Sequence, residues 1–404
     1  MNKLAANSQN AILAGLTAIL IANTFVPFLS TISFIILNSL IILIGLVSVD
    51  KIVTSKPFVY MLFFVAVEML YASLGKGLPV NMVIYQALLY LTSIVICGNI
   101  KHFSHKNANF LFFLMMGLLL FTFVKTFLAL QIDNMVIRHH AYGNNEGDFG
   151  GSMFGVYSYG VGEALAIILP AMTAFAIGLK KRILQVIIYI LVVFGIITQF
   201  VGSLTTSAIL SLLFCGIVVL LTLFDKRRVS SAFLSVVIIV IIIIVFLPAT
   251  KIAENMALMI KMEDINQSYS SGQAVGQVAD RNTLYLQSLK VVARNPILGL
   301  GVIPIDFGRY NSNTVSLHTT IFDFWGMYGL FAIFFVLSWV GVIKSSVSIL
   351  SPDRRKQYKW AFVSLFFLLL LKGPVTIGIN FQFSTVLLSL LYYKEVNSET
   401  NKLM

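Results

Sequence analysis

The chain has 404 residues, of which 58% carry hydrophobic side chains and 11% carry charge, and its mean hydropathy is +0.92. Soluble domains carry charge on roughly a quarter of their residues, so this composition excludes an ordinary soluble protein. A net charge of +12 would suggest nucleic acid in a soluble chain, but polytopic membrane proteins collect Lys and Arg in cytoplasmic loops for topological reasons, so no nucleic-acid partner is implied.

Long uninterrupted apolar runs, rather than the alternation of barrel strands, fill the sequence, and a helix needs about 20 such residues to cross the hydrocarbon core. Only helices satisfy every backbone group internally in lipid. The expected fold is all-α, a single integral membrane domain over 1–404 with about twelve transmembrane helices. The spans fall near 11–29, 31–49, 58–75, 79–98, 109–130, 157–179, 183–202, 204–224, 232–248, 318–343, 360–373 and 375–393. The N-terminal stretch MNKLAANSQNAILAGLTAIL has a weak basic start and an apolar run continuing toward Pro27, and reads as a first span rather than a cleaved signal peptide. Cys97 and Cys215 both lie in apolar runs, so neither a disulfide framework nor a Cys-ligated metal is supported.

With the N-terminus inside, alternate loops hold Lys51 and Lys56, Lys101 and Lys106, Lys180 to Arg182, Lys226 to Arg228, and the cations from Lys344 to Lys359. With Lys3, Lys394 and Lys402 that side collects 18 of the 28 basic residues, which puts both termini in the cytoplasm and the working surface outside. Two outer segments are too long and polar to be turns, residues 131–156 and 249–317. Within the second, NQSYSSGQAVGQ (266–277) reads as flexible and polar. DRNTLYLQSLKVVARNP (280–296) has a helical apolar rhythm through Leu284, Leu289 and Val292 and stops at Asn295-Pro296. The stretch 281–294 is expected to be an amphipathic helix at the outer membrane boundary, in contact with membrane lipids. No internal repeat suggests the paired halves of a transporter.

Topology does not require the outer cations Arg138, Lys251, Lys261, Arg281, Lys290, Arg294 and Arg309. Guanidinium groups grip phosphate through paired, charge-assisted hydrogen bonds, so such a cluster suits a lipid phosphate or pyrophosphate; the alternative is a solvated loop face or anchors to anionic head groups. Thirteen steps of about 100° leave Arg281 and Arg294 some 140° apart on a straight helix, whereas Lys290 and Arg294 share a side. His318 opens the tenth span and suits a general base or a phosphate ligand, against the plainer reading of an interfacial polar residue. Asp323 lies deeper in that span and about 140° around from His318, which argues against a simple His-Asp pair. Glu163 and Glu68 are further intramembrane carboxylates, each expected to pair with a basic or hydroxyl group in the bundle. Glu146 and Asp148, near His139 and His140, form an unspecific E-x-D spacing that favours a flexible substrate-facing loop over a metal site. No cofactor motif is present in the sequence.

These residues, Arg281 opening a helix, Arg294-Asn295-Pro296 closing it, Gly299-x-Gly301, and His318 starting a span that ends in Tyr328-Gly329-Leu330, resemble the bacterial O-antigen polymerase and O-antigen ligase superfamily. The motif likeness covers about 50 residues, and the polytopic frame with a large late outer loop extends it across most of the chain. Two departures stand out: Thr319 follows the histidine where the family often has Asn, and GSLTTSA (202–207 and onward) lacks the Ser-Arg of a middle span. The second weakens a ligase reading more than the superfamily. The resemblance implies a membrane glycosyltransferase-type fold, independent of metal, with an undecaprenyl-pyrophosphate-linked oligosaccharide as substrate in a bacterial inner membrane. It implies that Arg281 and Arg294, helped by Lys290 and Arg138, hold the pyrophosphate, that His318 holds the leaving phosphate or accepts a proton, and that a chain-length regulator is a partner. The expected activity is polysaccharide polymerisation. A ligase acting on lipid A core is the nearest alternative, and a flippase of lipid-linked sugars is the alternative from another class.

Overall fold

The computed structural model describes residues 3–48, 52–76, 78–132, 136–137, 155–157, 159–179, 181–202, 204–223, 256–271, 273, 276–300, 319–348, 350, 352–371 and 377–400. Among them the regular structure is helical, as the apolar runs require. The helices are α1 (Lys3–Phe25), α2 (Thr31–Ser48), α3 (Lys56–Ser73), α4 (Val80–Ile100), α5 (His105–Ile132), α6 (Tyr159–Gly178), α7 (Arg182–Val201), α8 (Thr205–Leu223), α9 (Met256–Ser271), α10 (Gly276–Arg294), α11 (Thr320–Tyr328), α12 (Ala332–Val347), α13 (Pro352–Leu371) and α14 (Ile377–Thr400). Eight described segments are long and apolar enough to cross a membrane, with α11 and α12 counted as one through the 3-10 turn Gly329–Phe331. Each expected span falls on a described helix except 232–248, which lies outside the described residues.

At the centre is α6. Every residue from Gly160 to Ile177 is buried, because α7, α8, α13 and α14 pack around it. A helix apolar on every side sits either in lipid or in a packed interior, and here neighbouring helices cover all of it. Polar side chains tie the surrounding helices together. Gln199 Nε2 donates to the Gly162 carbonyl at 2.8 Å, and Ser211 Oγ donates to Gln199 Oε1 at 2.8 Å. Asn99 Nδ2 reaches the Gly45 carbonyl at 3.2 Å, and Ser338 Oγ the Pro57 carbonyl at 2.6 Å. Such bonds contribute about 0.6 kcal/mol each between membrane helices, so they fix register more than they drive assembly. The buried Arg354 guanidinium donates to the Ala174 carbonyl near the C-terminal end of α6, where positive charge is favoured.

Several basic residues expected on one side meet at one end of the bundle. Tyr393 Oη donates to the Phe103 carbonyl at 3.2 Å, Lys394 bonds to Asn109, and Lys394 lies close enough to Lys181 for their charges to repel. That repulsion comes second to partial burial in lowering the Lys394 pKa. At the same end, partial burial first and the Lys101 charge second lower the pKa of His102.

One stretch departs from its sequence reading. Residues 266–271 are helical, and α10 begins at Gly276, five residues before the expected start at 281. Local hydrogen bonds accompany the first point: Ser268 Oγ and Ser271 Oγ each bond the carbonyl four residues back at 2.6 Å, and Gln267 Nε2 bonds Glu263 Oε1 at 3.1 Å. Serines that read as linker composition are accommodated within the helix by turning their hydroxyls onto its own carbonyls.

Candidate functional site

The end of α10 and the start of the following span are locked together by backbone. Pro296 stops α10, since a residue before proline is driven out of the helical region. The chain then turns: Gly299 N donates to the Asn295 carbonyl at 2.9 Å. Leu300 N donates to the Gly326 carbonyl at 2.8 Å, Leu330 N to the Ile297 carbonyl at 2.9 Å, and Trp325 Nε1 to the Pro296 carbonyl at 2.9 Å. Tyr71 of α3 adds a bond from its hydroxyl to the Leu298 carbonyl.

Two glycines make this clasp possible. Gly299 and Gly329 have φ of 73° and 60°, the left-handed region that side-chain-bearing residues avoid. A methyl on Gly299 would run into the backbone of Met327 and Gly329, and one on Gly329 would run into Ile297 and Leu298. Each glycine leaves room for the chain carrying the other. The Asn-Pro, Gly-x-Gly and Tyr-Gly-Leu segments are thus, in their described part, the two halves of one joint.

Above the joint, Asp323 fixes the mouth of the span. It is fully buried; its Oδ1 accepts from Ser288 Oγ at 2.6 Å and its Oδ2 from the Thr319 N–H at 3.0 Å. Asp323 therefore holds the residue that follows His318 against α10. Both carboxylate oxygens are committed, so its role is to position, in keeping with the angular separation from His318 that the sequence shows. Ser288 carries no signal of this role by itself, beyond being a polar residue between Leu284 and Val291 on a packed face.

Ser288 also sets the register of α10. Ser288, Val291 and Val292 are buried, whereas Leu286 and Leu289 are 56% and 41% exposed. The rhythm read through Leu289 is corrected accordingly: the packed face runs through Ser288 because Asp323 draws it in. Arg281 precedes Ser288 by seven residues, two turns, which places it within roughly 20° of the same face and about 10 Å along the axis. Lys290 and Arg294 follow by two and six residues, roughly 200° and 240° around, and both are exposed. The cations of α10 are thereby divided. By helical register the Arg281 position shares the side of Ser288; Lys290 and Arg294 occupy the opposite side, Arg294 also in the last turn where a cation favours the helix end.

Glu163 is buried near the start of α6 and is engaged with a neighbour. Glu68 is fully buried in α3, where the side chains it interacts with among the described residues are tyrosines. His318, Arg309, Arg138, Glu146 and Asp148 lie outside the described residues, as does the side chain of Arg281. Among the described residues no cluster of three or more His, Cys, Asp or Glu is placed to hold a metal, and Cys97 and Cys215 are unpaired thiols.

Fold and joint define a multi-pass, all-α membrane protein in which the amphipathic helix α10 is clasped to the start of a span. Residues 191–337, which contain α10, the clasp and the span mouth, match the family model described as O-antigen ligase. That match supports the O-antigen ligase/polymerase superfamily, whose members are glycosyltransferase-like enzymes. No curated protein matches the chain.

Proposed function

We propose that the protein is a polysaccharide polymerase of the bacterial inner membrane, with both termini in the cytoplasm and its site on the outer face. It transfers a growing glycan from undecaprenyl pyrophosphate to the nonreducing end of another lipid-linked repeat unit. The observation that carries this reading is the Ser288–Asp323–Thr319 link, which sets the Arg281 face of α10 against the residue following His318.

In the reaction an acceptor hydroxyl attacks the anomeric carbon, the bond from that carbon to the pyrophosphate oxygen breaks, and the hydroxyl proton leaves. Arg281 stabilises the charge that grows on the departing pyrophosphate, as preorganised donors do most effectively in a water-poor site. His318 takes the hydroxyl proton or holds the leaving phosphate. Lys290 and Arg294, on the outward side, attract the anionic donor to the boundary, and Arg138 and Arg309 are candidates for seating the incoming repeat unit. A chain-length regulator is the expected protein partner.

The family match is equally compatible with a second reading, a ligase, which we take to pass the glycan to lipid A core. One reconstitution separates the two. Purified protein is supplied with its lipid-linked repeat unit, with and without EDTA, and glycan length is read on a gel. A ladder that survives chelation is expected. Absence of a ladder with transfer to added lipid A core supports the ligase, and absence of both products overturns both readings.

A further inference from the structure

Glu68 has no part in the site described so far, yet it sits directly behind the joint. It lies on α3 three residues before Tyr71, whose hydroxyl bonds the Leu298 carbonyl. The Phe64 and Tyr71 rings meet the Tyr328 ring edge-on, at 5.6 Å and 89° and at 5.6 Å and 88°. Between these two rings along α3, the Glu68 carboxyl faces the Tyr328 hydroxyl and senses that of Tyr90. Neither carboxyl oxygen, nor the Tyr328 hydroxyl, makes a well-formed hydrogen bond, although the two groups interact.

Among the described residues the titratable groups facing Glu68 are tyrosines, and Phe64, one turn before it on α3, packs against the rings of Phe324 and Phe335. A carboxyl in such a place is costly, and a leucine would fill the same space without that cost. What distinguishes its place is the neighbour: Tyr328 precedes Gly329, which seats the Ile297–Leu298 backbone.

We propose that Glu68 is a positioning residue, whose carboxyl engages the Tyr328 hydroxyl and so fixes the Gly329 corner, the clasp, and the height of the Arg281 face of α10 at the span mouth. The effect on transfer rests on the polymerase reading; the effect on geometry does not.

The test uses the full chain in lipid nanodiscs, with Cys97 and Cys215 replaced by Ala and spin labels at Leu74 and Leu286, which are 62% and 56% exposed. The distance between the labels reports how α10 sits on α3. Glu68→Ala and Tyr328→Phe are expected to shift or broaden that distance and to lower transfer by about tenfold, the order expected when a buried polar group is left without the neighbour it interacts with. Glu68→Gln, neutral and of the same shape, is expected to keep the distance, and to keep transfer within about twofold with an unchanged pH profile. Should Glu68→Ala fail to reach the membrane, Tyr328→Phe, which removes only the hydroxyl, carries the same distance test. An unchanged distance in Glu68→Ala, or in Tyr328→Phe, overturns the proposal. So does a Glu68→Gln protein that loses transfer together with one limb of its pH profile, because Glu68 would then act by titrating. If the distances move as expected while even the unsubstituted protein makes no glycan, the positioning role stands and the polymerase reading fails.

Discussion

The two faces of α10 carry cations of the same kind and meet different surroundings. One face holds the Arg281 position, Ser288 and Val291 and is drawn onto the next span by Asp323; the other exposes Leu286, Leu289, Lys290 and Arg294. Charge alone treats the three cations as equals. Helical register separates them, and only the inner face is tied to the residue after His318. A cation fixed beside a reaction centre stabilises charge where it develops, while one on a solvated face mainly raises the local concentration of an anionic substrate.

The harshest way to break this comparison is to unseat the joint that holds both faces in place. Gly329→Val combines a left-handed backbone with a collision against the Ile297 and Leu298 backbone, and the cost should exceed roughly 4 kcal/mol. We expect little folded protein in membranes, read by detergent size-exclusion chromatography; normal accumulation would mean that the two chains do not interlock as described.

A gentler substitution separates the faces without destroying them. Asp323→Ala leaves the Ser288 hydroxyl and the Thr319 N–H without their acceptor and should cost about 1–3 kcal/mol, seen as a lower thermal unfolding midpoint together with slower transfer. Asp323→Asn keeps one oxygen acceptor and should fall between. If Asp323→Ala were as stable and active as the unsubstituted protein, the inner face would owe nothing to this carboxylate.

The smallest expected effect lies at the opposite end of the bundle and serves as a control. The His102 pKa is lowered in the fold by partial burial and by Lys101, so the unfolded chain takes up its proton first as pH falls. Stability from this group is present above the ordinary histidine pKa near 6.5 and is lost as pH falls from there through the lowered folded value. His102→Gln should flatten the acid side of the unfolding midpoint against pH slightly and leave glycan length unchanged. A change in glycan length would show that the two ends of the bundle are coupled.

Much of this architecture is legible in the sequence, because a span announces itself through about 20 apolar residues and lipid leaves the backbone no alternative to helix. Misreadings arise where polar residues serve helices. Ser268 and Ser271 looked like linker composition and instead bond their own helix. Leu289 looked like a core position, while Ser288, one residue earlier, is the buried one. That choice depends on Asp323, 35 residues away in sequence, and no local pattern encodes it. The glycines of the clasp are visible as motif letters, but the reason for them, each making space for the other chain, emerges only when the two segments are brought together.

The most direct test compares the two faces within one reconstituted polymerisation assay, with Arg281→Ala set against Lys290→Ala at matched protein levels. We predict a loss of about 100-fold or more for Arg281→Ala, in the range for removing a donor that stabilises developing charge. Lys290→Ala should stay within about threefold, and that small loss should shrink further as salt rises, as for a solvated charge. Equal losses in the two variants, or a larger loss for Lys290→Ala, would contradict the assignment of the inner face of α10 to the reaction.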